Sequence, residues 1–135
     1  MLNPIFFLLA KKSRKKRDGP SRELFLKKND LKKIDSNSKN SFLFQYNFDN
    51  EKDSLKNIDN FICNNFKIVD KCEINNNNIK YLHYVIEIGE YKFHDDLEII
   101  ILTNYLKIRS ASRVGKYDFD VNKNRINFII KNLFK

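Results

Sequence analysis

The sequence predicts an α+β domain: an antiparallel sheet with two helices packed on one face, behind a basic amino-terminal arm without fixed structure. Three observations carry this reading. Strand-like runs follow one another with short polar connections, which favours antiparallel pairing. Two segments repeat apolar residues at helical spacing. The charge is divided: residues 1–40 hold 12 Lys/Arg and 4 Asp/Glu, hence +8, while residues 41–135 hold 14 and 13, hence +1. The expected boundary therefore separates an arm, 1–40, from a nearly neutral domain, 41–135.

The arm opens with a short apolar run, IFFLLA from Ile5 to Ala10, followed by KKSRKKR from Lys11 to Arg17. The run is well short of the roughly 20 apolar residues that span a bilayer. It lacks the charged leading segment of an ordinary signal peptide. Four readings stay open: a targeting leader, a membrane-surface anchor, a nuclear or nucleic-acid patch, and a plain disordered extension. Leu24, Phe25 and Leu26 form the only local apolar cluster, and residues 27–40 are expected to be mobile because they bury too little to offset ordering entropy.

Within the domain, residues 41–48 read as a lead-in strand. Asp49 and Asn50 offer an N-cap for a helix over 51–65, whose stripe is Leu55, Ile58, Phe61, Ile62 and Phe66. A strand over 67–74, an Asn turn at 75–78 and a strand over 79–88 follow, since Asn tolerates the left-handed backbone that turns need. Residues 91–102 and 105–114 then form a hairpin around Thr103-Asn104. Asp118 or Asp120 caps a last helix with a stripe of Ile126, Ile129, Ile130 and Leu133.

A two-residue turn at Thr103-Asn104 makes facing residues sum to 207. Glu98 then faces Arg109, and Asp96 faces Ala111 with Arg109 and Arg113 on its diagonals. Asp95 faces Ser112 on the opposite, helix-covered side, beside Leu97, Ile99, Ile108 and Ser110. A charged cluster of Asp96, Glu98, Arg109 and Arg113 is expected on the other side, where it would fix register.

The block from Arg109 to Ile126, RSASRVGKYDFDVNKNRI, resembles the signature of the DUF-1499 domain family, in which Arg-Ser-x-Ser-Arg-x-Gly leads into an Asp, an Asn and a helix. Phe93 to Glu98 resembles the family's aromatic-x-Asp-Asp-x-Glu element. The resemblance covers about residues 53–134 and implies an uncharacterised module. The chain departs from the family at Asp120, where glycine is usual, at Lys123, where arginine is frequent, and in lacking an amino-terminal Cys-Pro and Asn-Cys element.

Candidate site residues follow from the same block. Arg109, Ser110, Ser112, Arg113 and Gly115 could bind a small anion near the start of the last helix. Asp95, Asp96, Glu98, Asp118, Asn122 and Arg125 form the structural polar set. A non-catalytic module that binds a small anionic ligand, or serves as an accessory protein in an organelle or at a membrane surface, is the favoured reading. The alternative is an enzyme acting on a small anionic substrate through Asp96, Arg109, Ser112 and Arg113. No cofactor or metal is expected: Cys63 and Cys72 form no CxxC pair, and His83 and His94 are not spaced for zinc. Both cysteines are expected to be small buried side chains, with a disulfide between them left open. The near-neutral domain disfavours nucleic acid, whereas the arm could meet an anionic membrane. The Lys/Asn enrichment suggests an AT-rich genome, and the family resemblance makes a plastid-type organelle one destination.

Overall fold

A computed structural model of the chain describes residues 3–27, 41–47, 56–115 and 120–134. In chain order they form α1 (Pro4–Ser13), α2 (Arg22–Lys27), β1 (Ser41–Asn47), α3 (Ile58–Asn65), β2 (Ile68–Asn76), β3 (Ile79–Ile88), β4 (Phe93–Ile101), β5 (Tyr105–Ser112) and α4 (Val121–Leu133). The five strands make one sheet in the order β1-β5-β4-β3-β2, and every neighbouring pair is antiparallel. The α+β class therefore holds.

The hairpin arithmetic holds as well. Glu98 faces Arg109, Asp96 faces Ala111 and Asp95 faces Ser112. The turn closes through Leu102 N–H donating to the Tyr105 carbonyl at 2.9 Å. The Asn-rich turn is tighter than expected. Strand β2 runs on to Asn76, and only Asn77 and Asn78 turn, both in the left-handed region with φ of 50° and 68°. That is the residue type and handedness that match a two-residue hairpin to the twist of its strands.

Strand alternation sorts the sheet into two faces. On one, Leu82, Tyr84, Leu97, Ile99, Leu106 and Ile108 join Ile58 and Ile62 of α3 and Ile126 and Ile129 of α4 in the main core. Asp59 ties α3 to the sheet by accepting the Tyr84 hydroxyl at 2.8 Å. This bond, followed by Lys71, holds the Asp59 carboxyl below its usual range against the opposing effect of burial.

The second face departs from expectation. It is not left to a charged cluster beneath an unstructured arm. Residues 3–27 contain two helices, and Phe25 packs with Tyr81 and Ile100 in a second apolar cluster. Helix α1 lies along β4, with Ala10 and Ser13 buried and the Ser13 hydroxyl accepting the His94 N–H at 2.9 Å. The described part of the arm thus covers the sheet face opposite α3 and α4. The expected mobility of residues 28–40, the caps at Asp49 and Asn50 and the start of the helix at 51–55 lie outside the described residues.

Two further expectations change. Cys63 is exposed rather than buried; both cysteines are free thiols. Asp120 occupies the N-cap position of α4 but makes no side-chain cap bond, and its φ of 63° is left-handed. Asp118, the other candidate cap, lies outside the described residues. Left-handed backbone costs a side-chain-bearing residue about 1 kcal/mol, less for Asp. Glycine carries no such cost in that geometry. Asp120→Gly is therefore expected to leave stability unchanged or raise it by up to about 1 kcal/mol in urea denaturation. A loss of more than about 1 kcal/mol would show that the Asp120 side chain matters more than its backbone strain.

Candidate functional site: two buried polar networks and a cationic cleft

Alternation along β5 sends Arg109 to one face and Ser110 and Ser112 to the other, and Arg113 just beyond the strand joins the Arg109 side. The structure thus divides the five candidate residues rather than gathering them. Gly115 stands just past the strand with φ of 91°, a conformation that favours glycine.

The serines belong to a network under α4. Arg125 donates to the Asp95 carboxylate at 2.9 Å and, through its other terminal nitrogen, to Ser110 Oγ at 2.8 Å and Asn122 Oδ1 at 3.0 Å. The Ser110 hydroxyl donates to Asn122 Oδ1 at 2.7 Å, and Asn122 Nδ2 donates to Ser112 Oγ at 3.0 Å. Asp95, Ser110, Asn122 and Arg125 are all buried. A buried guanidinium is tolerated because the carboxylate and the oxygen acceptors replace water. The network fastens α4 to β4 and β5 and fixes its rotation.

On the other face Asp96 and Glu98 are both buried, at 0% and 1% exposure. Asp96 Oδ1 meets Arg113 Nη2 at 2.9 Å and His83 Nε2 at 2.7 Å. Its Oδ2 accepts Arg113 Nε at 3.0 Å and Arg17 Nη2 at 2.6 Å. Burial pushes the Asp96 carboxyl up. The hydrogen bonds from His83, Arg113 and Arg17 outweigh it and hold the group far below the usual carboxylate range. Glu98 accepts the Tyr81 hydroxyl at 2.6 Å, the Ser21 backbone N–H at 2.7 Å and Arg109 Nη1 at 3.3 Å. Burial first, then the Glu98 charge, raises the Tyr81 hydroxyl well above its ordinary value. Tyr81 is thus a fixed donor.

The arm segment completes this second network. Arg113 Nη1 donates to the Ser13 and Lys15 carbonyls, both at 3.0 Å. Gly19 lies so close that a Cβ there would overlap Tyr81 Oη and stand 2.9 Å from Glu98 Oε2. Sequence reasoning placed Asp96, Glu98, Arg109 and Arg113 together. It missed Arg17, Gly19, Ser21, Tyr81 and His83. The signal available was parity: Tyr81, His83 and Val85 share one face of β3.

Above the Asp96 network lies a cleft of about 350 Å³ lined by Arg14, Lys16, Arg17, Arg113, His94, Asp70, Val69 and Val85. Arg14 is positioned by Nη1 donating to the Tyr91 and Lys92 carbonyls at 2.8 and 3.1 Å. An adjoining cleft of about 450 Å³ shares Lys16, Arg17 and Asp70 and reaches His83 and Cys72, which face one another across β2 and β3. Among the described residues, no group of three or more His, Cys, Asp or Glu side chains is placed to hold a metal ion.

A family model described as a protein of unknown function, DUF1499, matches residues 24–133. The chain belongs to the DUF1499 family. No curated protein and no solved structure matches it. The family match begins at residue 24, within the segment expected to be an arm, and takes in Phe25. In this DUF1499 chain the elements that match the family model and the helix α1 before them meet on the Asp96 face.

Proposed function

We propose that the protein is a small non-catalytic module that binds a small anion, such as a phosphate or carboxylate group, in the cleft above Asp96. One observation carries this reading: the cleft wall holds four permanent cations, Arg14, Lys16, Arg17 and Arg113, against one carboxylate, Asp70. Counting Asp96 behind the wall, which neutralises part of Arg17 and Arg113, cations still exceed carboxylates four to two. Guanidinium groups present planar donors that suit phosphate and carboxylate oxygens. Arg17 gives Asp96 one terminal nitrogen while its side chain is 45% exposed, so donors remain for a ligand. A volume near 350 Å³ suits a small molecule rather than a polymer.

Of the five residues first singled out for an anion site, Arg113 alone lines this cleft. Its role is to build the wall and neutralise Asp96; the exposed Lys16 and the half-buried Arg14 are the groups proposed to meet the anion.

Isothermal titration of the full chain with inorganic phosphate tests this. Binding is expected with Kd of about 1 mM or tighter, weakened at least about tenfold by Arg14→Ala combined with Lys16→Ala, a change of about 1.4 kcal/mol. Absence of phosphate binding, or binding indifferent to both substitutions, would remove the proposal.

A further inference from the structure

We propose that α1 seats the molecule on an anionic lipid surface, with the edge formed by Ile5, Phe7 and Leu8 entering the boundary between headgroups and acyl chains. This rests on α1 itself and not on the cleft. Helix α1 is held from one side only. Phe6 meets Tyr91 edge-on with ring centres 5.8 Å apart, while Ala10 and Ser13 are buried. Positions 6, 10 and 13 form one stripe at helical spacing. Leu8, at 65% exposure, lies opposite that stripe, flanked by Ile5 at 67% and Phe7 at 49%, while Phe6 keeps 49% of its surface exposed beside Tyr91. Large apolar side chains gathered on one exposed edge mark a surface that meets something apolar.

The charge beside that edge selects the partner. Lys11, Lys12 and Lys15 are all exposed, and residues 1–40 carry most of the chain's +9. Leu8 and Lys12 are one helical turn apart, about 6 Å along the axis. An apolar edge that enters by about 5–10 Å leaves its lysines at headgroup depth. A protein groove would have no such requirement for a dense lysine border. Asn3 closes the helix start, its side chain accepting the Ile5 and Phe6 N–H groups at 2.8 and 3.4 Å. Ten helical residues rise about 15 Å, half the hydrocarbon thickness, so the geometry is that of a helix lying at the surface.

Co-sedimentation of the full chain with vesicles tests the assignment. It is expected to bind vesicles containing phosphatidylserine and phosphatidylcholine and to stay in solution with phosphatidylcholine alone. Leu8→Asp, and separately Lys11→Glu with Lys12→Glu, should each lower binding about tenfold or more. Both sets of side chains are exposed, so an unchanged urea midpoint will accompany the loss. Absence of binding to the mixed vesicles would overturn the proposal. So would binding indifferent to Leu8→Asp, or binding abolished by inorganic phosphate, which would move the attachment to the cleft. If sedimentation equilibrium instead shows a dimer that Leu8→Asp dissolves, with no vesicle binding, the occupant is a second copy and the lipid assignment fails.

Discussion

Replacing Asp96 by alanine is expected to destabilise the fold by about 3–5 kcal/mol, the cost of leaving a buried charge without its partner. The stranded group is Arg113, whose side chain is 4% exposed. Arg113 also holds the Ser13 and Lys15 carbonyls, so the loss spreads to the segment over the sheet. Asp96→Asn keeps the shape and some hydrogen bonds and should cost less. The pH dependence has a definite sign. The folded-state pKa of Asp96 is depressed below 3.8, so its contribution is fully present above the unfolded value and is lost as pH falls through the folded one. Urea denaturation of the parent and Asp96→Asn proteins should therefore show a constant gap from neutral pH down to about pH 5 and a shrinking gap below it. A loss under about 1 kcal/mol near pH 7, the range of an exposed pair, would mean that the Asp96 carboxylate is not the centre of this face.

The parts of this structure that sequence reasoning reached are those governed by short-range periodicity. The register of β4 and β5 followed from one turn and the apolar alternation around it. It correctly put Glu98 opposite Arg109 and Asp95 opposite Ser112. The stripe Ile126 and Ile129 marked the buried side of α4 for the same reason. What escaped was long-range. Asp96, Glu98, Arg109 and Arg113 balance two against two, so nothing in the hairpin alone signals that Arg17 also joins Asp96. Alternation puts His83 on one face of β3 with Tyr81 and Val85, yet its approach to Asp96 depends on the register across a four-residue turn. The division of the block from Arg109 to Arg113 was implicit in its own alternation. Arg109 and Arg113 could not share a strand face with Ser110 and Ser112, and grouping them as one anion site ran against that period.

Composition misleads over residues 3–27, the described part of the arm. A high lysine content over residues 11–40 argues for solvation on average, but ordering needs only a few well-placed anchors. Phe25 stacks on Tyr81 with ring centres 5.2 Å apart and is 2% exposed. Arg17 and the Ser21 N–H each reach a buried carboxylate. Those carboxylates lie more than seventy positions away in sequence, and their need for partners is invisible from within the arm.

Removing residues 1–40 is accordingly expected to destabilise the remaining chain by more than about 3 kcal/mol. Exposing the surface now covered by Phe25 forfeits about 1.5–3 kcal/mol of apolar burial. Glu98 loses the Ser21 donor and Asp96 loses Arg17, and hydrogen bonds to charged groups contribute about 1.5–3 kcal/mol each where buried. Water reaching the uncovered carboxylates offsets part of that second contribution, which is why the sum is placed only above 3. A midpoint of urea denaturation equal to that of the full chain would show the arm to be a loose cover. Because the shortened chain could fail to fold at all, Gly19→Ala supplies an independent reading with every residue retained. Its Cβ would overlap Tyr81 Oη, so either the arm backbone lifts or Tyr81 leaves Glu98. Overpacking of this kind costs about 1–3 kcal/mol. A loosely attached arm would absorb the methyl group with no change in stability, whereas an arm packed as an integral layer cannot.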